Sequence, residues 1–549
     1  MPNDIRQKLK VALIMCLLTA ATIAVYWPCL DGPFFFDDEH FIQKNRLVQD
    51  LANWPKLYTS TVTQGANIKG NFYRPNQQMV YALLYARFGQ STTFPYHLVP
   101  LMLHIASGWM LFIWLRRLGL GLAGVGFGTG VFLLHPVQTE AICYISGLSD
   151  PLATFFILMA ILLMTPALVG QATSPSGQVA KVGKLLALAL VVSLAMLSKE
   201  SGVVFAPMLC FLIAYSCLVQ RRRPRRVEMA AAVIVGLLAL ASVVAKFTLF
   251  KFGDSIGLTD AANPYTQSLI LRLTTFMSVI WDYVTLIFWP KHLFYEKPYT
   301  AYAGLLHGRG LFGLAAVMAA VVALMFARRR PLSALGVAFV LSAILPFSGI
   351  VPLNAMFLEH WLYTVMIGVC LLFGLGADWV MQRHHRAIKG AAAVLGVAVL
   401  SLASVRTWAR TAEWADIEAF YLNEIAHAHN PGRIYNNLGM YYADQGDRSR
   451  AIKYYELAAQ SDTGKMFAQP HHNLAMAYLN AGQNHEAIAA LRQALKVDPQ
   501  FIYSLRVLQN YFNQTGDAQR AGRVNAAISA AEAGVAYDFS QLERDVFVD

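Results

Sequence analysis

Long apolar runs dominate this chain and decide what it can fold into. They lie near 9–27, 97–115, 120–134, 141–164, 184–198, 201–219, 228–250, 310–327, 331–349, 357–380 and 390–408. Most reach the about 17–25 residues that an α-helix needs to cross a bilayer, and the runs near 120–134 and 184–198 must borrow flanking residues. Backbone polar groups in hydrocarbon have to be satisfied within the segment, so the expected fold is an all-α membrane bundle. The first run follows Arg6, Lys8 and Lys10 with no small-x-small cleavage site after it, which reads as an uncleaved anchor.

Only 14% of the 549 residues are charged and the mean hydropathy is +0.44, which excludes a disordered chain and a disulfide scaffold. The net charge of +12 is unevenly placed. Residues 1–410 carry 33 basic and 16 acidic side chains, and residues 411–549 carry 11 and 16. The basic residues stand in short clusters between apolar runs: Arg6/Lys8/Lys10, Arg116–Arg117, Lys181/Lys184, Arg221–Arg226, Arg328–Arg330 and Arg383/Arg386/Lys389. Clusters at alternate ends of the runs are the mark of cytoplasmic loops, not of a nucleic-acid partner.

One run breaks the alternation. Residues 269–290 are long enough to cross, but a crossing would place Arg328–Arg330 outside, and Arg272 and Asp282 interrupt the run. It is read as a re-entrant or interfacial helix, which leaves about eleven spans, a cytoplasmic N-terminus and an outward C-terminus. A twelve-span arrangement with the tail inside is the alternative.

From residue 433 the hydrophobic period changes. Leu438, Gly439, Tyr442, Gly446, Ala451 and Tyr455 align with Leu474, Ala475, Tyr478, Gly482, Ala487 and Leu491, and a third copy reads Leu508, Phe512, Gly516 and Ala521. Small residues where two helices cross, large ones between them and Gly at the turn form the tetratricopeptide pattern. Repeats are expected near 433–466, 468–501 and 502–535 in a second domain, 411–549, with a leading helix over Trp408–His429. Such arrays bind a peptide or partner protein, and Tyr442, Asn473 and Tyr478 are the candidates for touching an acceptor. A purely stabilising appendage is the rival reading.

Acidic side chains near a bilayer are costly and point to function. Here they gather on the outer ends: Asp37-Asp38-Glu39 after the first span, then Glu140, Glu200, Glu296 and Glu359. Phe34-Phe35-Phe36 would hold the first group at headgroup depth, where adjacent carboxylates repel and one pKa rises. The six cysteines lie mostly within apolar runs without metal-ligand spacing; Cys29, just after the first run, and Cys143, at the start of the run near 141–164, fall on the same side and leave a disulfide open.

PFFFDDEHFIQKN, NFYRPNQQMVYALLYARFG, YHLVPLMLH, FLLHPVQTEAICYISGLSD and MLSKESGV, followed by three repeats, resemble in order the TMTC protein O-mannosyltransferases and their prokaryotic relatives, which are GT-C glycosyltransferases. Each motif alone is weak, and the order is specific. Two departures stand out: Pro100 replaces an Asn, and Gly147-Leu148-Ser149-Asp150 lacks the arginine of a Gly-Arg-x-Asp sequence. Trp281-Asp282-Tyr283 lacks the second Trp and Gly of the oligosaccharyltransferase signature, which argues against en bloc transfer to Asn.

The resemblance implies transfer of a single sugar, mannose by analogy, from a polyprenyl-phosphate donor to Ser or Thr hydroxyls of a protein. Such transfer needs a base for the incoming hydroxyl and cations for the departing phosphate. Asp37 or Asp38 is the candidate base in an inverting displacement, and Arg74 and Lys199 the candidates for the phosphate. Glu39, His135, Glu140, Glu200 and Glu359 are candidate supporting groups. A divalent cation could sit on Asp38, His40 and Glu140 or Glu359, but no spacing demands it and no essential cofactor is expected. Membrane lipids, the lipid-linked donor and an acceptor protein are the expected partners, in a bacterial inner membrane with periplasmic repeats. A glycolipid or surface-polymer transferase and a non-catalytic membrane scaffold are the rival functions.

Overall fold

The computed structural model describes residues 3–68, 70, 72–168, 178–248, 268–295, 301–353, 355–428, 430–535 and 538–547, and among them it is entirely helical and irregular, without strands. The chain divides into two compact units, the second comprising Ile417–Asp549 with Glu296–Pro298. Glu296, one of the acidic residues expected at the outer ends, lies outside the described residues.

Among the described residues of the first unit, ten helices are long and apolar enough to cross a membrane, and Leu122–Leu134 and Pro331–Phe347 are shorter apolar helices. In chain order the bundle consists of α1 (Asn3–Tyr26), α2 (Pro75–Phe88), α3 (Phe94–Arg117), α4 (Leu122–Leu134), α5 (Ser149–Leu168), α6 (Gln178–Ser198), α7 (Phe205–Gln220), α8 (Arg226–Thr248), α9 (Leu269–Phe288), α10 (Gly308–Met325), α11 (Pro331–Ile344), α12 (Leu362–Arg383) and α13 (Arg386–Ala415).

Side-chain contacts sort the helix ends into two groups. At one end the Asp378 carboxylate accepts from Gly121 N at 3.0 Å, and Arg222 pairs with Glu228 at 2.6 Å. The other end holds Asp37–Asp38, Glu140, Glu200 and Glu359, joined to one another by the contacts described below. Glycine lets the backbones meet in between: a Cβ on Gly124 would stand 2.4 Å from the Gly374 carbonyl, and one on Gly368 2.6 Å from that of Gly336. Small residues are how helices pack closely where the solvent itself is apolar.

Helix α9 is long enough to cross, but its two flanks are fastened to the same connector. Near its start, buried Arg272 donates Nε to the Gly349 carbonyl at 2.6 Å; beyond its finish, Phe294 N donates to Glu359 Oε1 at 3.0 Å. Gly349 and Glu359 flank one connector, between α11 and α12. Asp282, the other polar interruption, faces Arg309 at 3.3 Å. The start of α9 and the chain just beyond its finish are thus both fastened to the connector between α11 and α12.

In the second unit, helix Ile417–His427 precedes three helix pairs: Gly432–Asp444 with Arg448–Gln460, Gln469–Asn480 with Asn484–Val497, and Ile502–Thr515 with Ala518–Glu532. Gly439 allows the first pair to touch, since a Cβ there would lie 2.6 Å from the Tyr455 ring. Gly446, Gly482 and Gly516 turn the chain between partners at φ of +75, +77 and +80°, the left-handed region that glycine enters without steric cost.

Candidate active site

The acidic end is organised by residues 144–150. A one-turn helix, Thr139–Cys143, a tight turn over Ile145–Leu148 and the first residues of α5 follow one another there. The Tyr144 hydroxyl accepts from Asp37 N at 3.1 Å. Ser146 donates both its N–H and its hydroxyl to Asp38 Oδ1, at 2.8 and 2.5 Å. The Ser149 hydroxyl accepts from Arg74 Nη1 at 3.2 Å, and Asp150 Oδ1 accepts from Lys199 Nζ at 2.6 Å. From behind, Gln77 Nε2 and the Tyr81 hydroxyl donate to the Ser146 and Ile145 carbonyls at 2.8 and 2.6 Å. Seven residues thus join the candidate base pair to both candidate phosphate cations.

The two aspartates are not equivalent. Asp38 is fully buried, and its Oδ2 accepts from Phe35 N at 3.2 Å. Burial pushes its carboxyl up to about 7 against the opposing pull of the Ser146 and Phe35 hydrogen bonds, since removing water penalises the charged form. Asp37 is exposed. Phe36, just before it, has φ +54°, a costly conformation for a bulky residue that persists where surrounding contacts impose it. Those contacts are aromatic: Phe36 stacks on Tyr295 at 4.9 Å and Tyr144 on Trp414 at 5.8 Å between ring centroids.

Arg74 and Lys199 both have carboxylate partners. Glu200 takes Arg74 Nε at 3.0 Å on one oxygen and Tyr73 N at 2.9 Å on the other. The Arg74 guanidinium also lies 4.5 Å from the Phe72 ring centroid. Lys199 and Asp150 are each 5% exposed, so neither charge of that pair has bulk water to stabilise it. Leu148, where the resemblance leads one to expect an arginine, packs instead in an apolar cluster with Phe41, Ile42 and Tyr81.

The supporting residues brace this end. Glu140 holds His360 through Nδ1 at 2.6 Å and through the backbone N at 3.0 Å, while Glu359 takes Phe294 N. His135 accepts from Val137 N on Nδ1 at 3.2 Å and donates Nε2 to the Ile287 carbonyl at 3.0 Å, which fixes the neutral Nε2–H tautomer. Glu39 pairs with Lys44. The conceivable cation set of Asp38, His40 and Glu140 or Glu359 is not assembled: among the described residues no group of three or more His, Cys, Asp or Glu could hold a metal. In the repeats Tyr442 is buried, with its hydroxyl on Glu418 at 2.7 Å. Tyr478 and Asn473 are half-buried, bonded to Glu456 at 2.6 Å and Asn436 at 2.9 Å.

Sequence reasoning missed Tyr144, Ser146, Ser149, Asp150 and His360 as site residues. Asp150 carried a usable signal, an acid opening an apolar run like Glu200. The serines carried none.

The Tetratricopeptide repeat family matches residues 432–463 and 468–501. The Protein O-mannosyl-transferase F38B6.6 of Caenorhabditis elegans is 24% identical over 82% of this chain and 62% of its own length. Mouse Protein O-mannosyl-transferase TMTC4 is 23% identical over 77% and 63%, and human TMTC2 is 30% identical over 34% and 22%. The chain thus spans less than two thirds of the length of these relatives. Among solved structures, ArnT from Cupriavidus metallidurans bound to undecaprenyl phosphate aligns with a TM-score of 0.40 at 14% identity, covering 89% of this chain and 80% of that one. Over most of its length, then, the chain resembles the TMTC family of protein O-mannosyl-transferases, and it carries tetratricopeptide repeats at its C-terminal end.

Proposed function

We propose that this chain is a GT-C membrane glycosyltransferase that moves one sugar, mannose on the family resemblance, from a polyprenyl-phosphate carrier to Ser or Thr hydroxyls of proteins. The site faces the non-cytoplasmic side of a bacterial inner membrane, and the repeats select the acceptor. The observation that carries the reading is the division of labour in the aspartate pair: an exposed Asp37 beside a buried, fully engaged Asp38, on the segment that also receives Arg74 and Lys199.

In this reading Asp37 is the base. The acceptor hydroxyl gives its proton to the Asp37 carboxylate while its oxygen attacks the anomeric carbon from the face opposite the phosphate. The bond from that carbon to the phosphate oxygen breaks, and the lipid phosphate leaves with the electron pair, so the configuration inverts. Arg74 offers a planar donor fork to the departing oxygens, and Lys199 adds positive potential from within. Asp38 is a positioning residue: anchored on Ser146, it sets the direction in which Asp37 points.

The test is transfer by purified protein supplied with a polyprenyl-phosphate mannose and a Ser/Thr-containing acceptor protein. Glycosylated acceptor should appear with the wild type and fall to background with Asp37→Asn. Undiminished transfer by the Asp37→Asn/Asp38→Asn double variant would sink the assignment.

A further inference from the structure

We propose that Cys29 and Cys143 form a disulfide that clamps the Asp37–Asp38 loop to the segment that holds it. Their Sγ atoms lie 2.7 Å apart, and both residues are buried, at 1% and 0% exposure. They are 114 residues apart in sequence, so the fold alone brings them together. Cys29 lies in the turn that carries the chain out of α1 toward Asp37, and Cys143 directly precedes Tyr144. The crosslink would thus tie the two pieces of backbone that the Tyr144–Asp37 and Ser146–Asp38 hydrogen bonds already join. The other four cysteines sit on helices: Cys16 on α1, Cys210 and Cys217 on α7, and Cys370 on α12.

The chemistry is thiol–disulfide exchange with a protein disulfide acting as oxidant. One thiolate of the pair attacks the oxidant's disulfide to give a mixed disulfide. The second thiolate displaces the oxidant, which departs as a dithiol carrying the two electrons and, by way of solvent, the two protons that the pair gave up. Because both sulfurs are buried in the folded protein, exchange belongs to the folding stage, before the loop closes over them. The proposal rests on the reading that the acidic end faces the oxidising side of the membrane, where disulfides persist.

Thiol counting on the full chain tests it without reference to transfer. Protein in its native membranes is quenched in acid, denatured and alkylated with a polymer-tagged maleimide that shifts the gel band once per free thiol. Four tags before reduction and six after are expected, with four in both conditions for Cys29→Ser/Cys143→Ser. Six tags before reduction overturn the proposal, and repeating the synthesis with diamide, a membrane-permeant thiol oxidant, present while the chain folds then separates the causes. Closure to four tags under that oxidant means that the pairing is right and the assumed side of the membrane is wrong. Six tags even then mean that the pairing itself is wrong.

Discussion

Ser146 holds Asp38 twice through a single oxygen, by its backbone N–H at 2.8 Å and its hydroxyl at 2.5 Å. That carboxyl has lost its water and has protein donors on both oxygens, the pairing that a buried polar group requires. The neighbouring Asp37 keeps its carboxylate exposed while Tyr144 holds its backbone. Two adjacent residues of one type are thereby given opposite tasks.

The pair should separate under substitution. Asp37→Asn is expected to lower kcat by about 10²–10⁴-fold, the usual contribution of a general base, with thermal stability unchanged. Asp38→Asn should lose stability, because its NH2 group must face the donor of either Ser146 or Phe35. Rates with lipid-supplied protein and melting in detergent check both, and a stable, fully active Asp37→Asn would remove Asp37 from the chemistry.

Asp38 also predicts the sign of a pH effect. Its folded pKa is raised to about 7 from 3.8, so protonation is favoured in the native state. Its contribution to stability is present in full below about pH 4 and is lost as pH rises through 7, amounting to about 4 kcal/mol across that window. Melting temperature should fall between about pH 4 and 7 with a component that disappears in Asp38→Asn. An identical slope in the variant would mean that another group titrates.

Lys199 and Asp150 should be worth less as a pair than either alone is costly. Lys199→Met strands a buried carboxylate and should destabilise by roughly 3–5 kcal/mol, whereas Lys199→Met/Asp150→Leu should recover much of that loss. Detergent unfolding of both variants decides, and additive losses would contradict the pairing at 2.6 Å. Recovery of stability without recovery of transfer would separate a phosphate role for Lys199 from its structural one.

Transfer should survive chelation. A lipid monophosphate leaving group needs less charge neutralisation than a pyrophosphate, and Arg74 and Lys199 already stand at the proposed site. Unchanged rates in EDTA are expected; complete loss restored by one divalent cation would require a ligand set other than Asp38, His40 and Glu140.

Much of this architecture is legible in the amino-acid sequence because hydrocarbon and helix period leave few options. The apolar runs mark the helices, and Leu438, Gly439 and Tyr442 mark the repeats. Hydropathy fails where an apolar stretch is not a helix. The run 141–164 reads as one span, yet its first part is a short helix and a turn, and α5 begins only at Ser149. Ser146, Ser149 and Asp150 were hidden in that stretch, and their partners lie 108, 75 and 49 residues away. Nothing local distinguishes a serine that anchors a distant carboxylate from one that merely tolerates burial. Asp37 and Asp38 were visible as a pair, but only the packing of the loop tells which one keeps its water.

The connector between α11 and α12 acts as a buckle. On one side its Gly349 carbonyl takes Arg272 from the first turn of α9, and on the other its Glu359 takes Phe294. The next residue, Tyr295, stacks on Phe36, so opening the buckle would release a ring that holds the residue before Asp37.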